Sequence, residues 1–279
     1  MTERYLAGRS AWVTGGASGM GRATALRLAK AGADVAIGSL VQSQRHVALP
    51  DQNVHTPGDA ALHETRTEIE AFGVKCVALP LDVCSPQSVN SYFDAAMTRF
   101  GKIDILINAA GSSARKLIED HPDDIWHRII DTNLNGAYRT IRLCFPGMVE
   151  RRWGRIVNFG STAANVGYER HSAYCASKSG LLGLTRCVAL EGAAFGVSCN
   201  AVNPGFVATG SNYSASQQEI AIAGLDISVE DYRAKIAEGL PQKRFLDPDE
   251  VAALVAFLCR EEAFGISAES INIAMGSQW

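Results

Sequence analysis

Tyr174 and Lys178 are four positions apart in a stretch whose apolar residues recur every three to four positions, as in a helix. Residues at this spacing share one helix face, about 6 Å apart along the axis. A free tyrosine has a pKa of about 10, too high for a base at neutral pH. A lysine ammonium about 4 Å away, at an effective dielectric of about 20, favours the phenolate by about 4 kcal/mol and lowers that pKa by roughly 3. The pair predicts a proton-exchanging tyrosine, although the same spacing also occurs in surface pairs.

A second group of residues could bind phosphate. The segment from Thr14 to Gly21 follows a short apolar run and leads directly into an amphipathic helix. Gly15 allows a sharp turn, Gly19 allows the backbone to approach a pyrophosphate, and Gly21 allows the helix to pack closely on the strand. The helix start then offers N–H groups and the positive end of its dipole. The segment predicts a dinucleotide turn, with Ser18 and Met20 beside the glycines.

These residues need a scaffold, and the pattern of the chain supplies one. Short apolar runs alternate with longer amphipathic ones along all 279 residues. Apolar runs at 11–13, 35–37, 75–79, 103–107, 155–159, 198–202 and 271–274 predict strands. Helical patterns cover 20–31, 60–72, 86–100, 122–151, 174–195 and 248–259. Such repeated βα units predict an α/β protein: a doubly wound Rossmann fold with a seven-stranded, mostly parallel sheet and helices on both faces.

Two segments interrupt this alternation. Residues 39–58 contain two prolines and a polar run, which indicates an inserted loop. Residues 209–240 are polar, rich in alanine and weakly helical, and follow the sixth predicted strand, where a substrate lid would lie. No shift in composition marks a linker, so we expect a single catalytic domain over 1–279.

Composition excludes several classes of function. The chain has 26 basic and 29 acidic residues, a net charge of −3, and no basic cluster, which argues against a nucleic-acid partner. The longest stretch without a charged residue is rich in polar residues, and the N-terminus lacks a secretory signal, so we expect no membrane span and a cytoplasmic protein. The seven cysteines are scattered and the six histidines form no ligand motif, so the sequence predicts reduced thiols and no metal site.

Five motifs, in order along the chain, resemble those of the short-chain dehydrogenase/reductase family, classical type. The resemblance extends from Thr14 to Gly205. The motifs are the glycine turn, Asn108-Ala109-Ala110-Gly111, Asn133 with Ser161, Tyr174 with Lys178, and Asn203-Pro204-Gly205. The second has Ala109 where the family has asparagine.

The resemblance implies four catalytic residues. Tyr174 exchanges the proton with the substrate oxygen, and Ser161 hydrogen-bonds that oxygen. Lys178 lowers the pKa of the tyrosine and holds the nicotinamide ribose. Asn133 supports a water that links Lys178 to solvent. From the residues alone, Ser161 could instead be a helix cap and Asn133 an ordinary buried amide. The implied cofactor-binding residues are Gly15, Ser18, Gly19, Met20, Gly21, Ser39, Asp82, Val83, Asn108, Ala109, Gly111, Tyr174, Lys178, Pro204, Gly205 and Val207.

The implied activity is hydride transfer between NAD(P) and a secondary alcohol or ketone of a small molecule such as a sugar, hydroxy acid or acyl compound. Strand two ends in Gly38-Ser39 without the carboxylate that NAD-using members carry, and Arg45 could pair with a 2′-phosphate, which favours NADP over NAD. The resemblance also suggests a homotetramer or homodimer.

Several alternatives stay open on the sequence. A catalytically silent dinucleotide-binding regulator and an epimerase or lyase of the same family would share these motifs. Tyr168, His171 and the lid are expected to line the substrate pocket. Arg115 or Arg170 could grip an anionic group or could be solvated surface residues.

Overall fold

The computed structural model describes residues 4–44, 52–53 and 56–277. Within them, the strands are β1 (Ser10–Thr14), β2 (Asp34–Ser39), β3 (Gln52–Asn53), β4 (Cys76–Pro80), β5 (Ile105–Asn108), β6 (Ser113–Ala114), β7 (Gly154–Phe159), β8 (Val197–Pro204) and β9 (Ser270–Ile273). Seven of these strands form one parallel sheet in the order β4-β2-β1-β5-β7-β8-β9, and β3 pairs antiparallel with β6 in a second sheet. The order reverses direction between β1 and β5, and this reversal opens a crevice at the carboxyl ends of the strands.

The strands are apolar on both faces because helices cover both. In β1, Val13 packs into one core cluster and Trp12 into the other, and in β5 Ile107 and Leu106 divide in the same way. This alternation follows from the two-residue period of a strand. The structure therefore confirms the predicted doubly wound α/β fold.

Nine helices surround the sheet in the described part of the chain. They are α1 (Gly19–Lys30), α2 (Ala60–Glu70), α3 (Pro86–Phe100), α4 (Asp123–Ile130), α5 (Gly136–Glu150), α6 (Ser172–Gly192), α7 (Gly210–Ala223), α8 (Val229–Gly239) and α9 (Pro248–Leu258). Helices α1, α2 and α9 contribute to one core cluster, and α3, α5 and α6 to the other. Among the described residues, no helix combines the length and the apolar composition that spanning a bilayer requires.

The long helix predicted over 122–151 is wrong in one respect. A π-helical turn, Asp131–Asn135, separates α4 from α5. A π-helical turn contains one more residue than an α-helical turn, but the chain continues along the same helix axis. The apolar periodicity of the residues on either side therefore shows no break. The turn carries Asn133 inward to a buried position.

The two irregular segments also differ from expectation. The predicted lid, 209–240, forms two full helices, α7 and α8, where we expected only weak helicity. In the predicted insertion, 39–58, Ser39 belongs to β2, and Arg45 lies outside the described residues. The organisation as one domain with these two segments stays a prediction.

Candidate active site

The glycine turn between β1 and α1 forms the floor of a cleft at the carboxyl edge of the sheet. Gly15 and Gly19 have φ of 68° and 51°, the left-handed region that favours glycine. A Cβ on Gly21 would lie 2.2 Å from the carbonyl oxygen of Gly15, so the close approach of helix and strand excludes any side chain there. Ser18, at the start of α1, makes no side-chain capping bond, so the first N–H groups of the helix stay available to an anion.

The turn after β5 forms the opposite wall. The Oγ1 of Thr14 accepts hydrogen bonds from the backbone N–H groups of Ala109 and Ala110, each at 3.1 Å, and so joins the two turns. Asn108 does not line the cleft. Its amide nitrogen donates to the side chain of Asn158 at 2.9 Å and its amide oxygen accepts from the Thr140 hydroxyl at 2.6 Å. This side chain therefore connects β5 to β7 and α5 behind the cleft.

Tyr174, Ser161 and Lys178 meet at one end of the cleft. The hydroxyl of Ser161 accepts from the N–H of Ala163 at 3.1 Å and is hydrogen-bonded to the Tyr174 phenol. The Nζ of Lys178 lies 5.7 Å from the centre of the Tyr174 ring and donates to the carbonyl oxygen of Phe159 at 2.6 Å. Both Tyr174 and Lys178 belong to α6, as their spacing predicted.

The predicted lowering of the tyrosine pKa is wrong for this structure. Burial raises the pKa of Tyr174 above its ordinary value, and the hydrogen bond from Ser161 offsets only part of that effect. Burial also lowers the pKa of Lys178 to about 8, because its ammonium loses water. The Lys178 ammonium donates to the backbone carbonyl of Phe159 and not to the phenol, so it does not favour the phenolate as a charge directed at Tyr174 would.

Asn133 lies behind this group, held by the π-helical turn. Its Oδ1 accepts from the N–H of Ser112 at 2.8 Å, and its Nδ2 donates to the Ser112 carbonyl and the Ser177 hydroxyl, both at 2.9 Å. A Cβ built on Gly111 would lie 3.5 Å from Asn133 Oδ1 and 3.8 Å from Lys178 Nζ. Because Gly111 has no side chain, a space remains beside it that Asn133 Oδ1 and Lys178 Nζ both border.

The far end of the cleft combines β2 and β4 with α4. Asp82 Oδ1 accepts from the N–H of Cys84 at 2.9 Å, and Arg128 reaches both carboxylate oxygens at 3.4 Å. The Oγ of Ser39 accepts from the N–H of Ala17 at 2.9 Å. Ser39 therefore holds the glycine turn as well as lining the cleft.

Most of the cofactor-binding residues predicted from the sequence come together here. Those that line the cleft are Gly15, Ser18, Gly19, Met20, Gly21, Ser39, Asp82, Val83, Ala109, Gly111, Tyr174 and Lys178. Pro204, which ends β8, and Gly205 and Val207, which follow it, do not line the cleft. Pro204 and Val207 are buried, and Gly205 donates to the carbonyl of Ile273 at 3.0 Å.

Several residues that line the cleft were not among the predicted cofactor-binding residues, although Thr209, Gly210 and Ser211 belong to the predicted lid. Arg128 and Thr132 reach the cleft from α4 and the π-helical turn, and Thr209 reaches it from the start of the lid. The Cγ2 of Thr209 would lie 3.3 Å from a Cβ on Gly19, so the lid begins directly above the glycine turn. The others are Leu40, Pro57, Leu81, Ala110, Ser112, Ser113, Phe159, Gly160, Gly210 and Ser211.

Three aromatic rings extend outward from the catalytic end. The ring of His171 lies 6.3 Å from that of Tyr174 and 6.2 Å from that of Tyr168. Neither Tyr168 nor His171 lines the dinucleotide cleft itself. Burial lowers the pKa of His171, which favours the neutral imidazole beside the phenol.

A family model for short chain dehydrogenases matches residues 9–220, more than half of the chain. The chain belongs to this family. As a short-chain dehydrogenase it is an NAD(P)-dependent oxidoreductase that acts on alcohol and carbonyl groups, which confirms the family, cofactor class and enzyme class inferred from its motifs.

Two curated relatives and one solved structure match this short-chain dehydrogenase over more than nine-tenths of its length. The D-beta-hydroxybutyrate dehydrogenase of Cupriavidus necator is 33% identical over 258 residues, 92% of this chain and 93% of the relative. The 3-oxoacyl-(acyl-carrier-protein) reductase of Escherichia coli is 32% identical over 269 residues, with 96% and 97% covered. A crystal structure of a variant actinorhodin polyketide ketoreductase with NADPH superposes with a TM-score of 0.86 at 31% identity, covering 99% of this chain and 100% of the other.

Proposed function

We propose that the protein reduces a ketone on a small molecule to a secondary alcohol, and oxidises the alcohol in reverse, with Asn133, Ser161, Tyr174 and Lys178 as its catalytic residues. The observation that carries this proposal is the contact between the Ser161 hydroxyl and the Tyr174 phenol at the end of the dinucleotide cleft, with Lys178 one helical turn away. A carbonyl oxygen placed beside both hydroxyls would receive two hydrogen bonds.

The cleft fits a nicotinamide dinucleotide. The side chain missing at Gly21, the left-handed Gly19 and the uncapped start of α1 together make a cradle for a pyrophosphate. When bound there, the reduced cofactor supplies the hydride. The residues nearest this cradle are Gly15, Ser18, Gly19, Met20 and Gly21.

The protein's own residues move the proton. Because the pKa of Tyr174 is raised, the phenol is protonated at neutral pH and can donate to the substrate oxygen as negative charge develops on it. The Ser161 hydroxyl donates a hydrogen bond to the same oxygen. Lys178 has a pKa of about 8, so near neutral pH it can return a proton to the Tyr174 phenolate. The space beside Gly111 offers the path for this proton, and Asn133 holds the backbone that borders that space.

We propose that NADP is preferred over NAD. Ser18, Ser39, Leu40 and Pro57, which line the far end of the cleft, are uncharged, and the carboxylate of Asp82 at that end is paired with Arg128 at 3.4 Å. No unpaired carboxylate of the described lining therefore repels a 2′-phosphate there. The polyketide ketoreductase relative with NADPH supports the same preference. Arg45, the sequence candidate for pairing with that phosphate, lies outside the described residues.

We also propose a homodimer or homotetramer in the cytoplasm. Tyr138 on α5 and Leu190 on α6 are large apolar residues that are 51% and 75% exposed, a surface that a second copy would cover. All seven cysteines are free thiols, which suits a reducing compartment. Light scattering coupled to gel filtration would measure the oligomeric state.

A substrate panel tests the activity. Ketones, sugars and secondary alcohols are incubated with each cofactor, and the absorbance of the reduced nicotinamide is followed. Consumption of NADPH with formation of an alcohol is the expected result. Cofactor binding without turnover of any substrate would favour a regulator, and substrate conversion without net cofactor consumption would favour an epimerase or lyase.

A further inference from the structure

A second cavity of about 380 Å³ lies beside the catalytic end, outside the dinucleotide cleft. The segment after β6 forms one wall, the segment before α6 another, and α7 of the lid the third. Its lining includes Arg115, Lys116, Arg170, Gln218 and Ile222. A pocket between a lid and a catalytic residue is where the part of a substrate that does not react would lie.

Two residues of the cavity lining each carry a buried polar atom without a partner. Arg115 Nη1 is a donor and Gln218 Oε1 an acceptor, and neither has a hydrogen-bond partner among the described residues. Buried polar groups in folded proteins are nearly always hydrogen-bonded, so these two side chains could turn toward a ligand in the cavity that supplies an acceptor and a donor. An anionic oxygen would satisfy Arg115, and a hydroxyl or a similar donor would satisfy Gln218.

The lining of the cavity itself carries more cations than carboxylates. Arg115, Lys116 and Arg170 stand against Asp120, while Arg115 also contacts the lid carboxylate of Glu219 and Arg170 lies 3.5 Å from the solvent-exposed carboxylate of Glu169. Arg170 has a φ of 64°, an uncommon conformation for a residue with a side chain, and its carbonyl accepts from the Lys116 N–H at 2.9 Å. The two cationic segments are therefore held together by a backbone bridge, at a cost in local strain.

The cavity is also close to the reacting centre. Arg170 directly precedes His171, whose ring lies 6.3 Å from that of Tyr174. Arg170 lies two residues before α6, the helix whose first turn carries Tyr174. A small molecule could therefore place its carbonyl at Tyr174 and its far end against Arg115.

Building on the proposed function, we propose that this cavity binds the carboxylate of the substrate, which makes the substrate an oxo acid or hydroxy acid. Arg115 is the specificity-determining residue and pairs with the carboxylate. In the structure, the lid carboxylate of Glu219 contacts Arg115 Nε and so stands where a carboxylate oxygen of the substrate would bind. Glu219 therefore competes with the substrate for Arg115.

The test compares acids with their uncharged counterparts. Straight-chain oxo acids, with the ketone placed progressively further from the carboxylate, are assayed beside the methyl ester of each. For the best chain length we expect the wild type to favour the acid over its ester by about tenfold or more in kcat/KM. Arg115→Gln should lower this ratio about tenfold, and Glu219→Gln, which removes the competing charge, should raise it.

The opposite signs separate recognition from a structural role. If the Arg115–Glu219 pair only held the lid closed, both variants would change acids and esters alike and the ratio would not move, a result that overturns the proposal. Arg66→Gln is the matched control, because Arg66 pairs with Glu70 at 3.0 Å on the exposed face of α2. It should leave the ratio unchanged.

Calorimetric binding of a straight-chain carboxylate and of its methyl ester needs no turnover. Preference for the carboxylate that Arg115→Gln removes would support the cavity even if no carbonyl compound were reduced, in which case only the proposed function would fail. Reduction of neutral ketones with no preference for acids, in either kinetics or binding, would leave the proposed function intact and refute the cavity.

Discussion

Replacing Lys178 with methionine should abolish catalysis and yet make the protein more stable. Lys178 is 4% exposed, and its Nζ has the Phe159 carbonyl as a hydrogen-bond acceptor at 2.6 Å. Burial lowers its pKa from 10.5 to about 8. At neutral pH, Lys178 is therefore charged in the folded protein, although its buried position disfavours the charged form.

The magnitude follows from the change in pKa. Each pKa unit corresponds to 1.36 kcal/mol, so the fall to about 8 means that the charged lysine costs the folded state about 3 kcal/mol at neutral pH. Methionine removes that cost, but it leaves the Phe159 carbonyl unpaired, at about 1–3 kcal/mol. We expect a net stabilisation of about 1 kcal/mol, or roughly 2 °C in Tm.

The pH dependence has a defined sign. Between pH 8 and 10.5 the unfolded chain binds the lysine proton and the folded protein does not, so the stability of the wild type rises with pH in this window. By about pH 10 the wild type should have regained about 2.5 kcal/mol relative to the variant. The order of stability of the two proteins should therefore reverse.

Urea unfolding of both proteins without cofactor, near pH 7 and about pH 10, measures this directly. Lys30→Met, on the exposed end of α1, is the control and should change stability by less than about 0.5 kcal/mol at either pH. If Lys178→Met destabilised the protein by more than about 1 kcal/mol near pH 7, the electrostatic reasoning would be refuted.

Two further substitutions test the cleft. Ser39→Asp places a carboxylate where a 2′-phosphate would lie and should shift the ratio of kcat/KM for NADPH over NADH toward NADH by about tenfold or more; an unchanged ratio would show that this position does not select the cofactor. Gly21→Ala puts a Cβ 2.2 Å from the Gly15 carbonyl and should cost about 2 kcal/mol in urea unfolding and weaken NADPH binding in fluorescence titration. Gly183→Ala, on α6 with nothing within 4 Å, should stabilise by about 0.5–1 kcal/mol; equal effects of both glycine substitutions would contradict the steric argument.

The features that sequence alone predicted correctly depend on local patterns. The short apolar runs that became β1 and β5, and the glycines of the turn that follows β1, need no knowledge of the rest of the chain. The spacing of Tyr174 and Lys178 likewise fixed their shared helix and their common face. Seven strands and the glycine turn were enough for the fold class.

The features that sequence missed depend on tertiary contacts. The helices on either side of the π-helical turn at Asp131–Asn135 keep their apolar periodicity, so no sequence pattern indicates the turn. It is visible only in the structure, where it brings Asn133 into contact with Ser112. Arg128 on α4 reaches Asp82, which follows β4, and no pattern in the segment around Arg128 predicts this contact. Helix α7 buries only Ser216, so it lacks the apolar stripe by which helices are predicted.

The raised pKa of Tyr174 has the same origin. Spacing placed the ammonium near the phenol, but the carbonyl of Phe159 takes its hydrogen bond and burial disfavours the charged phenolate. Desolvation depends on every element around a group, and no short motif reports it.

Turnover by Tyr174→Phe tests the central claim, that this phenol exchanges the proton with the substrate oxygen. The substitution removes one hydroxyl and keeps the ring, so fluorescence titration should show unchanged NADPH binding while kcat falls by at least about 100-fold. Tyr5→Phe, the same change at a ring that packs against Arg260 and does not line the cleft, should retain full activity. A Tyr174→Phe protein that binds NADPH and still turns over substrate near the wild-type rate would contradict the account.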